Sequence, residues 1–438
     1  MHKDSHFSLK EITKIEGHTN LDIELRDGKA EKCELGIFEG QRFFEQMVVG
    51  KHYSQVPLIT ARICGLCNVS HLSTAIEAVE KAFGVKASGQ TMALRELATH
   101  GEFIKSHALH LVFLALPDFL GKETALDFTG EEHRYIHWGL DLKKAGTDIV
   151  RLLGGRVYQT MSIRPGGFTI LPKQGSLEAL LPQLEDARKI SVELLGIFDG
   201  LKEKFPFERE TEYAAIVGPR YSFLEGEIQC TDGTRVPEEN ALNHVKEFAV
   251  PYSAAKHALF NGKSFKVGSQ SRMNLNQDGL HHGAKKAMAG LKIKFPSHKA
   301  YYNNLAQAIE LLHCIESSID IISGIKIRKE SMAEIKPKEA SGLGVTEAPR
   351  GTLYHRYDFG ADGYIKGANL VIPTLQNNHN IEEDIKALIP EIIGLPQEKA
   401  ELEIEKLVRT YDPCISCATH FLRVNWNQKM ALKKKTKG

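Results

Sequence analysis

An excess of either charge is missing from this chain: 56 lysines and arginines face 55 aspartates and glutamates over 438 residues. Such a balance offers no basic stripe for nucleic acid and no cationic face for an anionic membrane surface. The opening MHKDSHFSLKEITK is polar and charged, with no apolar signal-peptide core. Long apolar runs are absent, and Leu111–Leu116 falls far short of the roughly 20 residues that span a bilayer. The expectation is a cytoplasmic protein that meets no nucleic acid and has no direct membrane span, any membrane attachment being supplied by a partner. Lys433-Lys434-Lys435 is a like-charge run that reads as a solvated tail.

Cysteine is scarce and odd in number. Seven of them, in a chain without a signal peptide, exclude a disulfide framework. Repeats, low-complexity stretches and linkers rich in proline, glycine or serine are absent as well. With 42% hydrophobic and 25% charged residues, the composition is that of an ordinary globular protein able to bury a large core.

What is present begins with β signals. Leu21, Ile23 and Leu25 alternate with polar residues, and Asp27-Gly28 supplies a hairpin turn. Leu72, Ile76, Val79 and Phe83 then fall on one helical stripe that Gly84 can stop. Longer helical patterns are expected at about 90–115, 175–204 and 296–326, with a strand excursion over 210–237 turning at Asp232-Gly233. A further hairpin turns at Asp362-Gly363 between Gly351–Tyr357 and Tyr364–Ile372. It would bring Arg350 and Thr374 together from opposite arms. The fold class expected is α+β, predominantly α: a core of long packed helices with peripheral β hairpins, in one large domain.

Four of the cysteines form two Cys-x-x-Cys pairs, Cys64/Cys67 and Cys414/Cys417, and each pair can present two thiolates to one metal. Four soft thiolates select zinc, iron–sulfur, copper(I) or another thiophilic transition metal. A structural zinc site is the plain reading of two such pairs. However, Cys67 and Cys414 stand 347 residues apart, whereas zinc ribbons take their pairs from close in sequence. Ligands from opposite ends of the chain imply a centre buried in the finished fold, between the N- and C-terminal motifs. Cys33, Cys230 and Cys314 are isolated and read as small buried apolar residues.

The segments around the pairs, Arg62-Ile63-Cys64-Gly65-Leu66-Cys67 running on to His71, and Asp412-Pro413-Cys414-Ile415-Ser416-Cys417 running on to His420, resemble the two signature motifs of nickel–iron hydrogenase large subunits. Further segments agree in the family's order: Ile15-Glu16-Gly17-His18, Arg42-Phe43-Phe44-Glu45, Ser106-His107-Ala108-Leu109-His110, Glu347-Ala348-Pro349-Arg350-Gly351 and Val371-Ile372-Pro373-Thr374. The resemblance runs from about residue 11 to 420.

The resemblance implies that Cys64, Cys67, Cys414 and Cys417 bind nickel, with Cys67 and Cys417 bridging to an iron that carries carbon monoxide and cyanide. Dihydrogen would be split there, which requires a nearby base. Cys414 and Arg350 are the two candidates, and chemistry alone favours the thiolate because an arginine stays protonated under nearly all conditions. Glu16 would carry protons between Cys414 and the exterior, a role suited to a buried carboxyl with a raised pKa. Glu45, the carbonyl of Leu370 and His420 would hold a magnesium ion; oxygen donors suit it, whereas the imidazole rests on the resemblance alone. Thr374 would hydrogen-bond a cyanide, His71 would donate to a bridging thiolate, and Asp412 would pair with Arg350 or a neighbour. His107 and His110 read as satisfied buried residues supporting the site.

Electrons would leave through an iron–sulfur small subunit and further electron-transfer subunits, since the chain carries no other iron–sulfur motif. Ser106, where many membrane-linked relatives carry aspartate, points to the soluble branch coupled to nicotinamide, deazaflavin or ferredoxin-linked modules. Gln159-Thr160 replaces a His-Pro common in relatives, and no function is assigned there. Relatives are normally cut by a maturation endopeptidase after the last histidine, so residues 1–420 would form the domain and 421–438 a removable extension. The rival classes are a non-catalytic four-cysteine metal-binding module and a complex I-like subunit that has lost nickel.

Overall fold

The computed structural model describes residues 5–38, 43–291 and 293–419. Arg42, His420, the 421–438 extension with its lysine run, and the expected cleavage point lie outside the described residues.

The first sheet follows from the hairpin signal. Asp27 and Gly28 both take positive φ, 49° and 75°, which a short side chain and a glycine tolerate. They join β2 (Thr19–Arg26) to β3 (Lys29–Ile37), and β1 (Ser5–Leu9) pairs antiparallel along the other edge of β2. A second antiparallel sheet holds β4 (Ala340–Ala348), β5 (Gly351–Phe359) and β6 (Ile365–Val371). Its β5–β6 register, Tyr354 opposite Val371 and Asp358 opposite Gly367, centres the turn on Asp362-Gly363 as expected. The strand β4 is additional: Ala348 pairs with Gly351, so Pro349 and Arg350 form the whole loop of a tight hairpin. The excursion over 210–237 is present as Glu212–Val217, Glu227–Cys230 and Arg235–Pro237, with its turn around Asp232-Gly233.

The helices are long, as their periodicity requires. The first, α1 (Asn68–Phe83), ends where Gly84 takes φ 69°. It is followed by α2 (Gly89–Leu109), whose first turn is capped by Ser88 Oγ accepting from Thr91 N at 3.0 Å. After α2 the chain continues through a wider, π-type turn, His110–Ala115, into Leu116–Leu120. The continuous rod Gly89–Leu120 is long and apolar enough by composition to cross a membrane, which consecutive apolar residues did not reveal; 78% of its apolar window is buried, as in a core helix. Against it pack α3 (Arg134–Gly154) and, with α4 (Leu181–Leu201) and the short α5 (Ser269–Asn276) on its outer side, α6 (Tyr302–Gly324). Two more, α7 (Pro373–Ile392) and α8 (Gln397–Thr410), lead to the last motif.

Two boundaries differ from expectation. The 296–326 helix begins only at Tyr302, after Pro296 and an irregular turn, and the 175–204 pattern is split into Gln174–Glu178 and α4, which restarts beside Pro182. A proline fits the first turn of a helix but not its interior. One large apolar cluster lies among the helices, including Leu97, Ile104, Ile149, Leu194, Leu305 and Ile309. A second lies between α1 and the β4–β6 sheet, and the four paired cysteines belong to it. The predominantly helical α+β class therefore holds, with small sheets at the periphery and the cysteines buried beneath one of them.

Candidate active site

The first cysteine pair occupies the turn that starts α1, with Cys67 at its N-cap. The first amides of a helix have no partner within it. Here Val69 N and Ser70 N donate to Glu102 on α2, at 2.6 and 2.8 Å, which ties the Cys64–Cys67 turn to the central rod. The second pair follows α8 through Asp412, a non-glycine residue at φ 49°. Cys414 is fixed from two sides: it forms a β-bridge with Glu16, and its N–H donates to Thr374 Oγ1 at 3.0 Å. Ile415 N donates to the Glu16 carbonyl at 2.9 Å.

These anchors bring the four sulfurs together. Cys64 Sγ lies 3.4 Å from Cys414 Sγ, Cys67 Sγ 3.4 Å from Cys417 Sγ, and Cys414 Sγ 2.8 Å from Cys417 Sγ. All four are unbridged and buried, and their ligand atoms lie within 4.8 Å of one another. Sulfhydryl donation from Cys414 holds the Cys64 thiol well below its ordinary value, whereas burial holds Cys414 and Cys417 well above theirs. A dry, compact set of four soft donors suits a thiophilic metal centre.

Over the sulfurs runs a narrow cavity lined by Cys67, His71, Arg350, Thr374, Cys414 and Cys417. Arg350, at the β4–β5 loop, donates from Nε to the Asp412 carbonyl at 2.7 Å and from Nη2 to Asp412 Oδ1 at 3.0 Å. Burial alone would lower its guanidinium, but Asp412 and the cysteine sulfurs outweigh that and hold it well above the ordinary range. Asp412 Oδ2 in turn accepts from Gln307 Nε2 on α6, at 3.1 Å. Thr374 opens α7 and accepts from Cys414 N, so its own hydroxyl proton is left to donate. Arg350 and Thr374 thus meet across the sheet end.

Glu16 is half-buried rather than fully buried, and its Oε2 accepts from Ser416 N at 2.9 Å, between the two cysteines of the last motif. His71 lines the cavity from α1. Glu45 lies further out: its Oε1 accepts from the Leu370 amide at 2.9 Å and faces Lys256 Nζ at 3.7 Å. Glu247 Oε1 is 3.3 Å from the same ammonium. That patch supplies hard carboxylate oxygens, while His420 lies outside the described residues. His107 and His110 are buried and partnered, by Glu310 and by Gln307 and the Arg409 carbonyl.

Sequence reasoning passed over the groups that hold the arginine loop in place. Arg272 on α5 donates to the carbonyls of Ala348 and Pro349, at 3.1 and 3.0 Å, and to Glu347 and Glu310, each at 2.6 Å. Glu310 also accepts from Tyr221 and Ser269, at 2.5 and 2.6 Å. No motif marks α5, because its residues act on a backbone distant in sequence. His355 and Tyr357 on β5 were missed too, although their two-residue spacing places both on the face turned toward α1.

Comparison with known proteins agrees with this geometry. The family model described as nickel-dependent hydrogenase matches residues 42–133 and 219–420. The chain is 33% identical to sulfhydrogenase 1 subunit alpha of Pyrococcus furiosus, over 95% of this chain and 98% of that protein. It is 26% identical to NAD-reducing hydrogenase HoxS subunit beta of Cupriavidus necator, over 94% of each. A crystal structure of an NAD+-reducing NiFe-hydrogenase in the H2-reduced state superposes with a TM-score of 0.85 and 25% identity, covering 96% of this chain and all of that one. Buried thiols drawn from both ends of the chain, together with matches of this extent, leave one assignment: the chain belongs to the nickel-dependent hydrogenase family, as the large subunit that carries the nickel–iron site.

Proposed function

We propose that this subunit splits dihydrogen heterolytically and reversibly at a nickel–iron centre, and passes the electrons to an iron–sulfur small subunit with further electron-transfer subunits beyond it. The observation that carries the reading is the convergence of four buried sulfurs within 4.8 Å beneath Arg350. Cys64 and Cys414 would hold the nickel alone, and Cys67 and Cys417 would hold both the nickel and an iron that carries carbon monoxide and cyanide. When bound, the centre supplies the Lewis-acid position at which dihydrogen is polarised.

The chain's own groups handle the proton. The Cys414 thiolate is the acceptor, because Arg350 is held cationic by Asp412 and serves as a fixed charge. Glu16, bonded to Ser416 two residues from Cys414, takes the proton outward. Thr374 would donate its hydroxyl to a cyanide on the iron, and His71 would donate an N–H to one of the thiolates shared by the two metals. Glu45, the Leu370 carbonyl and His420 would hold a magnesium ion. Residues 1–420 act as the mature domain in the cytoplasm, after a maturation endopeptidase cuts between His420 and Phe421.

An infrared spectrum of the protein purified anaerobically with its small subunit tests the reading, since bound carbon monoxide and cyanide absorb where polypeptide does not. Bands of both ligands are expected. Their absence from a sample already freed of residues 421–438 would overturn it in favour of a four-cysteine binding module.

A further inference from the structure

Behind His71 runs a buried chain of polar groups that the proposed reaction does not use. His71 Nδ1 lies 3.1 Å from His355 Nε2, and His355 Nδ1 lies 2.8 Å from the Tyr357 hydroxyl. Tyr357 also interacts with Thr60, whose hydroxyl donates to the carbonyls of Val56 and Pro57 at 3.1 and 3.2 Å. All four side chains are essentially inaccessible, His71 at 1% and the other three at 0%. The chain therefore ends inside the protein, between α1 and the β4–β6 sheet.

A neutral imidazole has one N–H and one lone pair, so each bond in such a chain dictates the next. Two arrangements are open. If Tyr357 donates to His355 Nδ1, then His355 Nε2–H donates to His71 Nδ1, and the remaining nitrogen of His71 must carry its proton. If Tyr357 accepts instead, every direction reverses, and His71 presents a lone pair. Both ends favour the first arrangement. At one end sits the sulfur cluster, whose lone pairs repel another lone pair and attract an N–H. At the other is a phenol that keeps its proton, because burial raises Tyr357 well above the ordinary tyrosine range.

We propose that His355 and Tyr357 are positioning residues that lock the tautomer of His71, so that its Nε2–H is the hydrogen aimed at the thiolates. The proposal rests on the reading of His71 as a thiolate donor. It sets this chain apart from a proton wire: giving up the Tyr357 proton toward the sulfurs would leave a phenolate in a dry core, which costs several kcal/mol without a charged partner, and a proton sent the other way meets a Thr60 hydroxyl already committed to backbone carbonyls. The lock instead fixes the direction of one hydrogen bond to a bridging sulfur, and with it the electron density that sulfur gives to the metals.

The test uses the anaerobically purified holoenzyme with its small subunit, in four variants: His71→Leu, His355→Leu, His355→Gln and Tyr357→Phe. Nickel content, the infrared bands and the split between kcat and KM for dihydrogen are read for each. Tyr357→Phe and His355→Leu are expected to keep nickel and KM, to shift the infrared bands in the same direction as His71→Leu, and to lower kcat by roughly tenfold. His355→Gln should restore bands and turnover, because its amide oxygen accepts from Tyr357 while its N–H donates to His71. Wild-type bands in Tyr357→Phe and His355→Leu, beside shifted bands in His71→Leu, would overturn the lock and spare the reading of His71. Unshifted bands in His71→Leu would overturn both. Loss of hydrogen–deuterium exchange in Tyr357→Phe with unshifted bands would make the chain a proton route and also refute the lock.

Discussion

Arg350 and Glu16 divide the charge around the sulfurs between them. Arg350 is held by Asp412 through two donors and cannot move without breaking both. A lysine, with one point of charge, could not reproduce that fork. Glu16 is placed differently: half-buried, its carboxylate accepts from Ser416 N while its backbone bridges Cys414 and accepts from Ile415 N. Glu16→Gln keeps the shape and one acceptor but cannot carry a proton. The variant should keep nickel and its infrared bands while hydrogen–deuterium exchange with solvent falls by about 10²-fold or more. Exchange at the wild-type rate would remove Glu16 from the route. The motif context made this residue legible, but its half-exposure was not, because the sequence expectation was a buried carboxyl.

Among the elements, the contact of α1 with β4 decides where Cys67 sits. Gly344 and Gly342 lie so close to α1 that an added Cβ would stand 2.0 Å from Thr74 O and 2.0 Å from Ala78 O. Both obstacles are backbone atoms and cannot rotate away. Thr74 Oγ1 and Thr346 Oγ1 meet at 2.6 Å beside that contact. Gly344→Ala should therefore cost about 3 kcal/mol or more and lower nickel per purified chain, because α1 starts at the cysteine turn. A melting temperature and nickel content equal to wild type would show that the helix can slide without consequence. The same glycines explain why β4 was not foreseen: in a sequence they read as a loop, and only the helix across from them shows why they are there. The helix α3 escaped notice for a related reason, since its buried stripe includes Gly139, Ala145 and Gly146 beside Leu142 and Ile149. In the first half of α7 the buried face carries Thr374, Gln376, Asn377, Asn378, Asn380 and Glu382, so hydrophobic periodicity shows only from Ile381 onward, with Ile385, Leu388 and Ile389.

At the scale of the whole molecule, those buried polar groups tie distant parts together. Glu382 on α7 accepts from Leu35 N on β3 at 3.0 Å, from Tyr252 at 2.9 Å and from His257 at 3.3 Å. Burial by itself would raise its carboxyl, but these bonds and His379 outweigh burial and lower it to about 2. A carboxyl depressed in the folded state stabilises that state above its unfolded value of about 4.3, and the contribution fades as pH falls from there toward about 2. The full contribution is roughly 2–3 kcal/mol. Glu382→Gln should accordingly be less stable than wild type at pH 7, with the gap narrowing as pH falls through that window. A gap independent of pH between 7 and 3 would show that the charge of Glu382 has no part in it.

The sequence by itself determined the two cysteine pairs that meet in the core, the hairpins at Asp27-Gly28 and Asp362-Gly363, the helical character of the core and the family. Each of these is written in short-range form, as a fixed spacing, a turn residue tolerant of positive φ, or a 3.6-residue period. Only the tertiary structure decided that Arg350 occupies a two-residue loop held by Arg272, that Glu16 faces solvent in part, and that His71 backs onto His355 and Tyr357. Those relations join residues up to hundreds of positions apart through single hydrogen bonds. They leave no periodic trace, because the free energy that fixes them comes from burying partners together and not from any local preference of the chain.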